Sequence, residues 1–284
     1  MLQLGMRAHD FAPAMPAEPF IDGLSKANIR QIQLAFEKSF SDLDVSTGHY
    51  SAGLAQYISG LLHEKHVHCA VLGCYINPVV PDEALRKKEV DRFVERLRYA
   101  KHMGADMVGT ETGRFSIDFS VTEKTNSEEC YRVLLESFSK ICAAAEALGV
   151  TVGVEGVFDH TLSNPKKMQR FLKDLASPSI EVILDFANLL SPQAAAMPGE
   201  QERLVHEAFE RYGSRISVLH LKDCIFDANG VQQCVAPGTG LVDFQPLMKL
   251  IKKEKPYIVG LLEESSAERF AADCAFFQNQ WEMA

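Results

Sequence analysis

Short apolar runs rich in β-branched residues alternate along the whole chain with longer stretches in which apolar residues recur at helical spacing. The runs are Leu2 to Ala8, Ile29 to Leu34, Val67 to Gly73, Met107 to Thr110, Val150 to Glu155, Glu181 to Asp185, Ile216 to Leu221 and Tyr257 to Glu263, eight in all. Between two of them, Asp82 to His102 carries Leu85, Val90, Phe93, Val94, Leu97 and Ala100 among Glu, Lys and Arg, which predicts an amphipathic helix. Ser127 to Leu148 repeats the pattern, with Ser127 as N-cap and Gly149 as the residue that stops the helix. Pro165, Pro178, Pro246 and Pro256 fall at element boundaries, where a missing N–H is tolerated. Strand and helix alternating eight times is the pattern of βα units around a parallel sheet. No Pro- or Ser-rich linker interrupts it, so residues 1–284 are expected to form one α/β domain, a single (β/α)8 TIM barrel. A doubly wound open sheet has less support, because no G-x-G-x-x-G follows the first strand and no G-x-x-x-x-G-K-[ST] occurs. Three connections after strands are long: Gly113 to Asn126, Asn188 to Glu200, and Lys222 to Asp243 with its Asn229-Gly230 turn. In a barrel all three lie over the C-terminal face, where active sites form.

Four successive strands end in a side chain able to bind a metal: Glu155 in T-V-G-V-E, Asp185 in V-I-L-D, His220 in V-L-H-L-K-D, and Glu263 or Glu264 in L-L-E-E. Neighbouring strands lie about 4.8 Å apart, so inward groups at one level can converge on a single ion. Carboxylates with one imidazole suit Mn²⁺, Mg²⁺, Co²⁺ or Zn²⁺. Alternation places Val218 with His220 and Ile183 with Asp185. It likewise places Tyr257, Val259 and Leu261 with Glu263, favouring Glu263 over Glu264 unless Gly260 carries a bulge. Glu111 in G-T-E-T-G ends the fourth strand, and His9 and Asp10 end the first. Lys222 shares a face with His220, from which it can reach a ligand oxygen or pair with Asp223 or another surface acid. Tyr75 and Asn77 share the inner face after the third strand, whereas His63, His66 and His68 straddle a helix end and a strand start on the opposite face.

Composition narrows the partners. The chain has 29 Lys plus Arg against 38 Asp plus Glu, a formal charge of −9, and no basic run beyond Lys166-Lys167 or Lys252-Lys253. Nucleic acid is therefore not an expected partner. Seven Cys, odd in number and without a C-x-x-C pair, match neither a disulfide framework nor a zinc ribbon. The first residues have no apolar signal region, and the longest apolar stretches, such as Tyr257 to Leu262, are too short to span a bilayer. A cytoplasmic protein with reduced thiols and no membrane partner is expected.

The order of Glu155, Asp185, the H-x-K-D at His220 to Asp223, the P-G-x-G-x-x-D-F at Pro237 to Phe244 and a terminal L-E resembles the sugar-phosphate isomerase and epimerase group of the xylose-isomerase-like barrel superfamily. The likeness covers nearly the whole chain. It implies one divalent ion held by Glu155, Asp185, His220 and Glu263, with Glu155 and Glu263 doubling as catalytic acid and base. Members include ketose 3-epimerases, hydroxypyruvate isomerase, inosose dehydratase and type-four apurinic endonucleases. Where the epimerases carry a substrate-contacting His three residues after the sixth-strand Asp, this chain has Asn188, and no clear Arg follows His220. The endonucleases need extra histidines for three zinc ions, but Asn188 replaces one and the third and fourth strands end near Asn77 and Glu111, so that branch is not expected.

The expected activity is metal-dependent isomerisation or epimerisation of a small sugar or ketose, phosphorylated or not, through a metal-stabilised enediolate. Glu155 and Glu263, expected on opposite sides of the ion, would serve the two faces of that intermediate. Glu111, Asn188, Lys222 and His9 are the expected substrate contacts, and Phe115, Phe119 and Phe226 on the long loops are expected to cover the sugar. The alternatives are an inosose-dehydratase-like lyase acting on a polyol and a barrel that binds a sugar without turning it over. A homo-oligomer is compatible with each.

Overall fold

The computed structural model describes residues 1–284. Eight parallel strands close into a barrel: β1 (Gln3–Arg7), β2 (Gln31–Leu34), β3 (His68–Gly73), β4 (Met107–Glu111), β5 (Thr151–Glu155), β6 (Ile180–Asp185), β7 (Ile216–Leu221) and β10 (Val259–Leu262). They follow chain order around the barrel, and β10 closes it against β1. Between β7 and β10 the chain inserts an antiparallel hairpin, β8 (Asp223–Phe226) and β9 (Gln232–Val235), where the sequence shows only a long loop with an Asn-Gly turn.

The predicted caps are in place. Ser127 Oγ accepts from Cys130 N ahead of the helix Glu128–Leu148, which ends at Gly149 in the left-handed region at φ 64°. Asp82 likewise accepts from Leu85 N before Glu83–Met103. No helix is long and apolar enough to cross a membrane.

Strand boundaries fall close to the apolar runs, and the largest differences are at the starts of β2 and β10. Tyr257 does not share the inner face with Val259 and Leu261 as alternation predicts. The first ladder pair of β10 is Val259 with Gln3, so Tyr257 precedes the strand and is 83% exposed. The registers of β10 against β1 and β7 run unbroken through Gly260, so no bulge reverses the alternation beyond it.

One large apolar cluster fills the space between barrel and helices. A second, smaller one lies inside the barrel and comprises Ala70, Val71, Met107, Ile183, Val218 and Leu261. Its bulk fits because β5 offers Gly153 there: a Cβ at that position would lie 2.6 Å from Met107 Sδ and 2.8 Å from Ile183 Cδ1. This apolar floor sits one pleat below the strand ends, so the next inward residue on β6, β7 and β10 is Asp185, His220 and Glu263.

Candidate active site

Glu155, Asp185, His220 and Glu263 are all buried at the C-terminal end of the barrel. One ligand atom from each of Glu155, Asp185 and His220 lies within 4.8 Å of the others. His220 Nδ1 is 3.1 Å from Glu155 Oε2 and 3.4 Å from Glu263 Oε1. β5 and β10 are separated only by β6 and β7, and both carboxylates approach the same imidazole nitrogen.

Lys222 does not pair with Asp223 or a surface acid. Its Nζ lies 2.8 Å from Asp185 Oδ2 and donates a 2.9 Å hydrogen bond to Glu263 Oε2, so the ammonium sits among the clustered carboxylates. Asp223, which leaves the barrel with β8, accepts instead from the backbone N–H groups of Cys224, Gly238, Gly240 and Val242. That explains the P-G-x-G motif: a Cβ at Gly240 would lie 2.2 Å from Asp223 Oδ1. Asn188 lines the cavity, but its amide is committed to the site itself, donating from Nδ2 to Glu155 Oε1 at 2.6 Å. Its backbone N–H donates to Asp185 Oδ1 at 2.9 Å, and Tyr75 Oη donates to Glu155 Oε2 at 3.4 Å.

Burial and charge work against each other here. Burial pushes the Asp185 carboxyl up to about 6 although Lys222 opposes it. Burial would do the same to Glu263, but Lys222, His220 and Arg7 outweigh it and hold that carboxyl well below the usual range. His220 is raised to about 9, because the attraction of Glu263 and Glu155 overcomes the burial that disfavours its charged form. Lys222 is raised in the same way, Asp185 and Glu263 overcoming its desolvation.

Even so, Asp185 Oδ2 and both ring nitrogens of His220 are buried without a properly directed hydrogen-bond partner. Asp185 and His220, with atoms free of directed hydrogen bonds, and the Glu155 carboxylate beside them make the oxygen and nitrogen donor set that a hard divalent cation takes. The residues present fit such an ion, with Glu263 beside them as a fourth oxygen donor.

Of the two last glutamates, Glu263 faces the site. Glu264 turns to the rim at φ 53°, its side chain half exposed, and its N–H donates to Asp10 Oδ2. Arg7 ties this edge together, at 3.5 Å from Glu263, 2.5 Å from Glu264 and 2.9 Å from Asp10. Arg7 is a site residue absent from the expected set, and the signal that could have found it is its place at the end of β1, the counterpart of Glu155 on β5.

The site opens into a cavity of about 870 Å³. His9 lines it with Nδ1 buried and unpartnered, and burial with Arg7 nearby lowers its pKa to about 4. Glu111 also lines it, beside Glu155 in the β4–β5 register, and burial with the charge of Glu155 pushes it up to about 8. Its neighbour is His160, 2% exposed, with Nδ1 3.7 Å from Glu111 Oε2. His160 comes from the loop after β5, where no periodicity marks it. Phe119 stands edge-on to His160 at 5.3 Å and borders the cavity as expected. Phe115 and Phe226 do not: Phe115 packs on the main core and Phe226 on Phe158. Asn77 spends its amide on the carbonyls of Arg114 and Ser116, holding the first long loop. His68 pairs with Asp106 at 2.7 Å at the far end of β3, away from this site.

Inosose dehydratase of Erwinia tasmaniensis is 25% identical to this chain over 185 residues, 58% of this chain and 60% of that protein. The chain spans about 60% of the length of the curated relatives it matches. A D-psicose 3-epimerase of Clostridium cellulolyticum, crystallised with D-tagatose, has a TM-score of 0.67 at 15% identity, covering 92% of this chain and 84% of that one. A xylose isomerase-like TIM barrel protein of Mycobacterium smegmatis in complex with magnesium has a TM-score of 0.68 at 13% identity, covering 97% and 99%. At such identities the structural likeness is one of fold. The family model described as xylose isomerase-like TIM barrel matches residues 21–280, nearly the whole barrel, and the chain belongs to that family.

Proposed function

We propose that this protein is a divalent-metal-dependent isomerase or epimerase of a small sugar or ketose. The observation that carries this reading is the convergence of Glu155, Asp185 and His220, with Glu263 beside them, beneath a cavity of about 870 Å³, roomy enough for a small sugar. Those four residues would hold the ion, which supplies Lewis-acid stabilisation for the charge that develops when the carbon beside a carbonyl loses its proton. Glu155 and Glu263 are the proton-transfer pair, one withdrawing the proton from carbon and the other returning it. Asn188 and Tyr75 orient Glu155, and Arg7 and Lys222 keep Glu263 ionised. Glu111, His9, Lys222 and Arg7 offer polar contacts to substrate oxygens along the cavity wall.

The inosose dehydratase relatives support a second reading, a lyase acting on a polyol. It would share the proton abstraction and then expel the β-hydroxyl, with Glu111 on the cavity wall as the proposed proton donor.

The test is to measure metal content on the purified protein and to screen ketoses and inososes in D₂O. We expect a retained divalent ion that is lost in Glu155→Gln and His220→Ala, and deuterium entering the carbon-bound position of an epimeric or isomeric product. A product lacking one water selects the lyase. Turnover of a substrate without any label exchange rules out proton abstraction, sugar binding without turnover selects the non-catalytic barrel, and unchanged metal content in both variants removes the site assignment.

A further inference from the structure

The hairpin after β7 places two cysteines directly opposite each other. Cys224 on β8 and Cys234 on β9 are register partners. The position type follows from the hydrogen bonds around them. Asp227 N donates to Val231 O near the turn, so that pair is hydrogen-bonded. Bonded and non-bonded pairs alternate along an antiparallel ladder, which makes 226 with 232 non-bonded, 225 with 233 bonded and 224 with 234 non-bonded. The main chain of Cys224 agrees: its N–H donates to Asp223 Oδ1 and its carbonyl accepts from Leu241 N.

Non-bonded partners have Cα atoms about 4.5 Å apart, inside the roughly 4.4–6.8 Å that a disulfide spans. Directly opposed residues also share a face. Gln232, two residues from Cys234 and so on its face, has Nε2 3.4 Å from Cys224 Sγ, which shows that Cys224 points to that face as well. Cys224 is buried and Cys234 is exposed, and both are free thiols.

We propose that Cys224 and Cys234 form a reversible dithiol–disulfide pair, a redox modification site that clasps the hairpin at the cavity mouth. The oxidant is a low-molecular-weight disulfide. The exposed Cys234 thiolate attacks it, one sulfur of the small disulfide leaves as thiolate and takes up a proton, and Cys234 carries a mixed disulfide. The Cys224 thiolate then attacks the Cys234 sulfur and the second small thiol leaves. Two protein thiols and one small disulfide thus become one protein disulfide and two small thiols. Burial pushes the Cys224 thiol up to about 12 and the Cys234 thiol up to about 11, so both steps are slow at neutral pH and the reaction is followed over hours. Asn229 to Gln232 of the same hairpin line the cavity, so the clasp acts on the wall of the site rather than on a remote loop.

The test is to incubate the reduced full-length protein with oxidised glutathione. Free thiols should fall from seven to five per chain and return to seven with dithiothreitol. Trypsin leaves both cysteines in one peptide, since no Lys or Arg lies between Asp223 and Met248, whereas a protease that cuts before Asp227 separates them. The disulfide should therefore join the two fragments of such a digest. In Cys224→Ser, Cys234 should end as a stable glutathione adduct, and in Cys234→Ser, Cys224 should stay reduced. Hydrogen exchange over residues 223–235 should slow several-fold on oxidation. A wild-type protein in which Cys234 stays glutathionylated while Cys224 remains titratable, or in which Cys234 links to Cys274 or to a second chain, overturns the proposal. So does a joined pair with unchanged exchange, because the hairpin is then not clasped.

Discussion

Inside the barrel two layers of side chains lie one pleat apart, and they behave as opposites. The lower layer, Val71, Met107, Ile183, Val218 and Leu261, is closed and apolar and asks nothing of its surroundings. The upper one, with Glu111, Glu155, Asp185, His220 and Glu263, comes largely from the same strands two to four residues further on. It leaves an Asp185 oxygen and both His220 nitrogens without a well-directed hydrogen bond despite burial, although charged groups stand close to them. The hydrophobic effect alone accounts for the lower layer. In the upper layer, ionised carboxylates are tolerated only because Lys222, Arg7 and His220 offset them. The alternation that builds the floor therefore also builds the site, and the two differ in whether the layer is self-sufficient.

The contrast can be broken most sharply with one substitution in each layer. Lys222→Met removes the ammonium between Asp185 and Glu263, which should cost about 3–5 kcal/mol when divalent ions are chelated, the usual penalty for stripping one partner from a buried charge pair. Ile183→Ala, a cavity two residues below Asp185, should cost about 2–5 kcal/mol. Urea denaturation with EDTA and then with Mn²⁺ separates them. The added ion should restore stability to the Lys222 variant and do nothing for the Ile183 variant. If Lys222→Met loses no stability in EDTA, the upper layer does not depend on that cation and the contrast collapses.

A somewhat smaller effect concerns the wall of the cavity. Burial holds His160 neutral, its pKa lowered from 6.5 to about 4, with the charges of Asp159 and Arg114 as lesser and opposing influences. A lowered folded-state pKa means that the unfolded chain takes up the proton first. The contribution is intact above pH 6.5 and is lost progressively as pH falls to about 4. A shift of this size corresponds to about 3 kcal/mol. The acid limb of a stability–pH curve should therefore be shallower in His160→Gln by that amount between pH 6.5 and 4, and two superimposable limbs would show that His160 is solvated in solution.

What could be read in the sequence follows the same division. Polar strand ends marked Asp185, His220 and Glu263, and period-two alternation with Ile183, Val218 and Leu261 put them on one face, because an inward position stays inward along a continuous stretch of ladder. It could not say what an inward polar group pairs with. Lys222 was placed on the right face yet its partners Asp185 and Glu263 are far away in sequence, and Asn188 sits by the cavity but binds Glu155. Where no ladder exists, periodicity has nothing to report. Tyr257 precedes β10 and points to solvent, and His160 stands in a loop that carries no period at all. The hairpin of β8 and β9 was hidden because Gln232 to Val235 is short and mostly polar, and its pairing with Asp223 to Phe226 is set by the Asn229-Gly230 turn rather than by an apolar run.

The finest test of the contrast uses two adjacent residues of the same kind. Glu263 and Glu264 are both acidic and both lie near Arg7, yet Glu263 faces inward, buried against Lys222 and His220, while the Glu264 side chain is 49% exposed at the rim. An ion pair that open to solvent is worth about 1 kcal/mol or less, so Glu264→Gln should shift the denaturation midpoint only slightly and leave divalent-ion retention untouched. Glu263→Gln exchanges a buried carboxylate for an amide facing the Lys222 ammonium and should weaken ion retention. Equal losses from the two variants would mean that the backbone turn at Glu264 does not separate floor-facing from rim-facing charge. Because alternation alone chose between these two residues, that outcome would also undo the reading of β10 from which Glu263 was assigned.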